Sequence, residues 1–347
     1  MTIAVLPSRS EPTTIAAVTT AVDHALDDPS ALIINADCSP DAATHTAFCA
    51  VPTRARKLAL TGLPAGKGRQ ILHALRRTPT TRHDTVLIAD TDTRNPAPEM
   101  YRALLNAARS GASCAVADYR RYWDEGNLTH HVARPLLAAT GIELAQPLAG
   151  DIALSGEACA RALIDRRQLP AELGECVDGY GIDAFLIAAA AGSGRPVTDV
   201  PLDRTKQHAP SFPHLPAIYQ QAVPVLLAIA AARLPARYPG RGAYQLTERP
   251  LNPDRLGAML TALDGLAARP PETATAWPAP LARAWCAVRS GIPPTQAAAT
   301  LWPFYIDRVR AWLTMANQPL TMRSAHLGQA HYGLARQITD ATKEMTP

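Results

Sequence analysis

The stretch Thr85-Val86-Leu87-Ile88-Ala89-Asp90-Thr91-Asp92 sets two carboxylates, one residue apart, at the end of a β-branched apolar run. Such a run is expected to be a buried strand, and ligands of open α/β sheets sit at the carboxyl ends of strands. Carboxylate oxygens suit hard divalent cations such as Mg²⁺ or Mn²⁺. A cation held there can bridge to a diphosphate and neutralise the charge that develops as it leaves. The same two acids would equally serve to cap the turn and the next helix.

Other polar groups follow apolar runs in the same way. Pro7-Ser8-Arg9-Ser10-Glu11 comes after the first. A loop there can hold a nucleotide base through its backbone and Glu11, or Glu11 can simply be a first-turn acid favoured by the helix dipole. Asp37 follows the second run and fits a base or ribose contact, or an Asx turn. Gly66-Lys67-Gly68 opens a helix, where an anion is favoured and Lys67 would add charge for a diphosphate; a solvated lysine in a flexible turn is the other option. Gly-x-x-x-x-Gly-Lys-Ser/Thr is absent, so this is no Walker A loop. Gly150, in Gln146-Pro147-Leu148-Ala149-Gly150-Asp151, lets backbone approach a ligand or turns a loop. Arg120, Arg121 and Thr129 can bind an anionic or polyhydroxyl acceptor, although the arginines also suit a solvated face. Asp183, in Gly179-Tyr180-Gly181-Ile182-Asp183, suits sugar hydroxyls or a helix first turn. His208, after Lys206-Gln207, is a competent metal ligand when neutral, or a solvated loop residue.

The elements that must position these groups alternate in the first half of the chain. Strands are expected at 3–6, 31–34, 57–60, 85–88 and 113–118, and helices at 13–26, 66–77 and 98–110. That alternation implies an α/β fold, a largely parallel sheet with helices on both faces. From about residue 213 the spacing is helical (215–232, 253–268, 279–290, 294–316 and 324–343), with proline-rich joints and no strand. Two domains are expected, 1–212 and an all-α region over 213–347.

Composition narrows the classes. With 347 residues and 47% hydrophobic content a sizeable core is affordable. A net charge of +4 and 5% aromatics give neither the basic patch nor the stacking platform of a nucleic-acid binder. Six scattered cysteines lack Cys-x-x-Cys spacing, which disfavours zinc ribbons and disulfide frameworks. The apolar run 223–232 is too short for a membrane span and no signal segment is evident, so a cytoplasmic protein is expected.

In their order along the chain these motifs resemble GT-A glycosyltransferases, and more narrowly glucosyl-3-phosphoglycerate synthases and mannosylglycerate synthase-like retaining enzymes. The resemblance covers about residues 3–212. Its specific segments are Arg134-Pro135-Leu136-Leu137, Gln146-Pro147-Leu148-Ala149-Gly150 and Gly179-Tyr180-Gly181. It implies a Rossmann-like GT-A domain and a metal-dependent hexosyl transfer from a nucleotide sugar, expected to be UDP-linked, to a small polar acceptor. It further implies that Pro7, Ser8, Arg9, Glu11 and Asp37 hold the nucleotide, Lys67 the diphosphate, and Asp90 with Thr91 the ribose region. Asp92 and His208 would ligate Mg²⁺ or Mn²⁺. Tyr180, Asp183 and Lys206 would surround the donor sugar. Arg121, Thr129 and Gly150 would face the acceptor, with a backbone carbonyl near Leu148 beside the anomeric carbon. Catalytic roles thus fall to Asp92, Leu148, Asp183 and Lys206, with no protein nucleophile, and the resemblance suggests a homodimer. Asp183 stands where the family has Glu, Ser10-Glu11 where it has Asn-Glu, and Asn127-Leu128 where it has Gly-Arg before the threonine; the last change removes an arginine suited to phosphate. Two other readings remain open at this point: a nucleotidyltransferase, and a non-catalytic nucleotide-sugar binder.

Overall fold

The computed structural model describes residues 1–208, 212–236, 244–250, 252–266 and 276–345. In chain order they form β1 (Thr2–Ser8), α1 (Ile15–Leu26), β2 (Leu32–Asp37), α2 (Ala43–Ala50), β3 (Arg56–Leu60), α3 (Lys67–Arg77), β4 (Thr85–Ile88), α4 (Pro98–Arg109), β5 (Cys114–Tyr122), α5 (Arg134–Ala138), β6 (Ile152–Ser155), α6 (Gly156–Gln168), α7 (Ala171–Asp178), α8 (Ile182–Ala191) and β7 (Val197–Thr205). Next come α9 (Leu215–Ala231), β8 (Leu246–Thr247), α10 (Pro253–Asp264), α11 (Ala279–Arg289), α12 (Pro294–Leu313) and α13 (Leu320–Met345). The chain divides into two compact units, Met1–Tyr119 with Gln146–Pro210, and Arg120–Ala145 with Ser211–Pro347. Segment 120–145, expected with the first domain, therefore belongs to the second unit. Its α5 packs against α9 and α13 and buries Leu136 and Leu137 there.

The first unit is built on a sheet of order β3-β2-β1-β4-β6-β5-β7. The run β3-β2-β1-β4 is parallel, as the alternating pattern predicts. Beyond it the sheet is mixed, because β6 runs antiparallel to both β4 and β5, within the largely parallel sheet that was expected. The four-residue β6 runs straight into α6 at Gly156. β1 is buried throughout and continues past Pro7, where the sequence suggests it should stop. The register with β4 ends at Val5 opposite Ile88, while β2 still pairs with Pro7 and Ser8. Proline's missing N–H therefore breaks no ladder bond on the β4 side. β7 ends the strand order, carries Pro201 and has no fully buried residue, all features of an edge strand.

Central β4 is fully buried and delivers Asp90 and Asp92 to its carboxyl end. The start of α3 is fixed by close backbone contact: the Gly68 N–H donates to the Gly179 carbonyl at 3.1 Å. A Cβ on Gly68 would lie 1.9 Å from the Val177 carbonyl oxygen. This contact docks the N-terminus of α3, and with it Lys67, against the loop that precedes α8.

Among its described residues the second unit is mostly helical, and it includes the end of β5 with β8 beside it, a two-residue strand that the sequence does not signal. Its core holds Trp285, Trp312, Tyr219 and Tyr305, all fully buried, with the Tyr219 ring 4.9 Å from that of Tyr305. The 20-residue helical stretch Phe212–Ala231, longer than the sequence reading of 223–232, holds an 18-residue window of mean hydropathy 1.3, half of which is buried. It packs on α12 and α11, as a core helix does.

Gly68→Ala should cost about 1–3 kcal/mol, the usual scale of overpacking, and lower the thermal midpoint. An unchanged midpoint in differential scanning calorimetry would show that the α3 junction yields freely.

Candidate functional site

The charged groups that cluster here lie in the first unit, around the carboxyl ends of β1, β2 and β4, with Lys67 from α3, Asp183 from α8 and Lys206 from the segment after β7. The loop after β4 is tied to the segment after β7. The Arg94 N–H donates to the Gln207 carbonyl at 2.7 Å. The Asn95 side chain donates to the Thr205 carbonyl at 2.9 Å and accepts from the Gln207 N–H at 2.8 Å. Arg204 Nη2 donates to the Asn95 carbonyl at 2.6 Å. This pairing sets His208 within electrostatic reach of Asp92, whose ionised form it favours.

Two lysines converge on Asp90. Lys206 Nζ donates to Asp90 Oδ2 at 2.8 Å, to Asp151 Oδ2 at 2.6 Å and to the Ala149 carbonyl at 3.2 Å. Lys67 Nζ lies 2.8 Å from Asp90 Oδ1 and 3.1 Å from Asp183 Oδ2. Asp151, fully buried, also accepts from the Asp90 N–H at 2.9 Å and the Tyr119 hydroxyl at 2.6 Å. Burial alone would raise the Asp90 carboxyl, but Lys206 and Lys67 outweigh it and hold it well below the usual carboxylate range. Conversely, the acids more than offset the effect of burial on both ammonium groups, so each lysine stays charged.

The remaining acids lack that compensation. Burial, then the neighbouring Asp90, pushes the Asp92 carboxyl up against the opposing pull of Lys206 and His208. Burial also raises Asp183, whose Oδ1 is buried without a partner. Glu11 is pushed up to about 9 by burial, followed by the charges of Asp92, Asp90 and Asp37. It shares the Thr91 hydroxyl with the Pro7 carbonyl, 2.6 Å from that hydroxyl. Five carboxyl groups, those of Glu11, Asp90, Asp92, Asp151 and Asp183, thus meet only two ammonium groups. A divalent cation beside Asp92 fits that excess of negative charge. Among the described residues no group of three or more His, Cys, Asp or Glu side chains forms a metal cage.

The other sequence candidates are placed as follows. Asp37 forms the Asx-type bond from the Ser39 N–H at 3.0 Å, and its Oδ1 also accepts from the hydroxyls of Ser8 at 3.0 Å and Ser39 at 2.6 Å. Ser8 is 2% exposed and its hydroxyl is used inside the protein, whereas Arg9 is exposed at the loop tip. Tyr180 is 38% exposed. Leu148 is half-buried, and it is the carbonyl of its neighbour Ala149 that Lys206 binds. Gly150 has φ +83°, and a Cβ there would lie 1.9 Å from Asp90 Oδ2; Asp90 itself demands the glycine. Arg121 and Thr129 belong to the second unit, Arg121 beside β8 and Thr129 at the start of a π-helical turn, Thr129–Ala133. Sequence reasoning overlooked Asp151 and Tyr119. A lone acid directly before a buried apolar strand was the available signal for Asp151; Tyr119 had none.

No protein-family model matches this sequence, and no curated protein matches it. Solved structures do. Glucosyl-3-phosphoglycerate synthase from Mycobacterium tuberculosis in complex with Mg²⁺ and UDP is 25% identical with a TM-score of 0.52, covering 66% of this chain and 79% of that one. The same synthase with Mn²⁺ and UDP-glucose is 26% identical (TM-score 0.50, 66% and 79% covered). Its complex with Mn²⁺, UDP-glucose and phosphoglyceric acid gives 25% identity, a TM-score of 0.50 and the same coverage. The chain has the Rossmann-like fold of these GT-A glycosyltransferases.

Two outcomes follow from the charge pattern. The folded state keeps the Glu11 proton up to about pH 9, whereas the unfolded chain releases it near 4.5, so this group's contribution to stability falls as pH rises through that window. Glu11→Gln should flatten the decline of the ligand-free protein between about pH 5 and 9; parallel profiles for the two proteins in chemical denaturation would contradict the assignment. Lys206→Met leaves the fully buried Asp151 without a cation and Asp90 with Lys67 alone, and should cost about 3–5 kcal/mol, measured the same way; a loss under 1 kcal/mol would show that water compensates the change.

Proposed function

We propose that this chain is a metal-dependent retaining glycosyltransferase that moves a sugar from a nucleoside-diphosphate sugar, UDP-linked, to a small polar acceptor. The observation that carries the reading is the Lys67–Asp90–Lys206 cluster at the carboxyl end of β4, with Asp92 beside it within electrostatic reach of His208. The likeness to UDP- and metal-bound synthase structures supports it. Asp92 and His208 would hold Mg²⁺ or Mn²⁺, which when bound supplies electrostatic stabilisation of the leaving diphosphate.

The chain's own residues do the rest. Lys67, which rests on Asp90 and Asp183, would turn part of its charge to the diphosphate, since an ammonium carries three donors. Glu11 and Asp37 would contact the nucleoside, with Arg9 at the rim. Asp90 would receive the ribose and stay ionised because Lys206 and Asp151 fix it; Lys206 is therefore a positioning residue acting through Asp90. The unpartnered Oδ1 of Asp183, with Tyr180, suits donor-sugar hydroxyls. In the transfer the acceptor oxygen bonds to the anomeric carbon as the carbon–phosphate oxygen bond breaks, and the acceptor proton passes to the departing diphosphate on the same face. Arg121 and Thr129 are proposed for the acceptor on the resemblance alone.

Titration calorimetry should find UDP binding that strengthens at least tenfold with Mn²⁺. Asp92→Ala and His208→Ala should each abolish that gain and cut metal-dependent UDP release from a nucleotide-sugar panel by about 10²-fold or more, on the scale of a lost electrostatic stabiliser, while keeping the wild-type circular dichroism. Undiminished metal-dependent turnover in either variant would refute the ligand assignment.

A further inference from the structure

The second unit buries a set of cationic and imidazole groups that sugar transfer does not use. Arg308, on α12, is 7% exposed. Its Nε–H donates to His131 Nδ1 at 3.3 Å and its Nη1 pairs with His326 Nε2. Its Nη2 is buried with no partner. Burial and the guanidinium keep both imidazoles neutral, so neither can balance the charge, and among the described residues no carboxylate forms an ion pair with Arg308. The acids at 124, 125 and 248 are taken by Arg249, Arg255 and Arg323.

Arg323, on α13, is 1% exposed. One nitrogen bonds Glu248 at 3.0 Å and its guanidinium stacks 4.5 Å over the Trp123 ring, yet Nε and Nη1 are unpartnered. The Trp312 ring lies 5.4 Å from that of His131 and 6.4 Å from that of Trp123, so one aromatic wall runs between the two arginines. Buried donors without acceptors are strongly unfavourable, more so when charged. An oxyanion would satisfy both needs, offering several lone pairs and the missing negative charge in the forked geometry that guanidinium favours.

We propose that Arg308, supported by His131 and His326 and flanked by Arg323, forms a binding site for a phosphate or carboxylate group in the second unit. The group can arrive as a free ion or on a small organic molecule, since both present the same oxygens. The test is thermal unfolding of the full chain at constant ionic strength, with inorganic phosphate or glycerol phosphate replacing chloride. Wild-type protein should be stabilised by phosphate, and Arg308→Met should lose the shift. A larger shift with glycerol phosphate would identify a carried group as the natural ligand, and an equal or smaller one a free ion. Asp92→Ala should keep the full response, which separates this site from the diphosphate site and its failure from failure of the transferase reading. No shift with either probe, or an equal shift in Arg308→Met, would overturn the proposal. Should Arg308→Met not fold, equilibrium dialysis of radiolabelled phosphate decides: saturable binding to wild type that weakens at least tenfold in Arg323→Met is expected, and no saturable binding would refute the site.

Discussion

The pairing of residues 94–95 with 205–207 is the constraint on which the rest of the site depends. It uses one backbone bond, two bonds of the Asn95 amide and one guanidinium bond. None is strong alone, but together they fix the register between the loop after β4 and the segment after β7. Lys206 is then aimed back at Asp90 and Asp151, and His208 falls beside Asp92. A slip of one residue would put Gln207 where Lys206 stands, leaving buried Asp151 without a cation and Asp90 with Lys67 alone.

Electrostatics give the site its direction. The ammonium of Lys206 is spent inside the protein, with 2% of its side chain exposed, while Lys67 keeps 15% of its side chain accessible. The first is built in; the second is available to a ligand. The acids divide likewise: Asp90 and Asp151 are compensated, whereas Glu11, Asp92 and Asp183 are held above their ordinary range by burial and by neighbouring carboxylates, Asp90 among them in each case. A fold that gathers more buried acids than bases is poised for a cation, and stability is given up for that arrangement.

Much of this was legible in the sequence. The buried run 85–88 followed by two acids marked the centre of the sheet, because apolar run length and strand-end chemistry are local signals. α1, α3 and α4 showed in apolar spacing for the same reason. α2 did not, since only Thr44 and Phe48 of its eight residues are buried, and β7 was hidden by its polar, half-exposed edge character. Lys206 was noticed but set against the donor sugar, and Asp151 was passed over. Both have one cause: the partners of these side chains lie 32 to 116 residues away, and such pairings exist only once the sheet order is known. The placement of 120–145 was missed similarly, because the apolar face of α5 says that it packs without saying on what.

The most direct test of the account is pulsed electron paramagnetic resonance on the wild-type protein with Mn²⁺ and UDP. The account predicts nitrogen coupling from a single imidazole, lost in His208→Ala while Mn²⁺ and UDP remain bound at higher concentration. Mn²⁺ held with UDP but without imidazole coupling, or coupling that persists in His208→Ala, would contradict it.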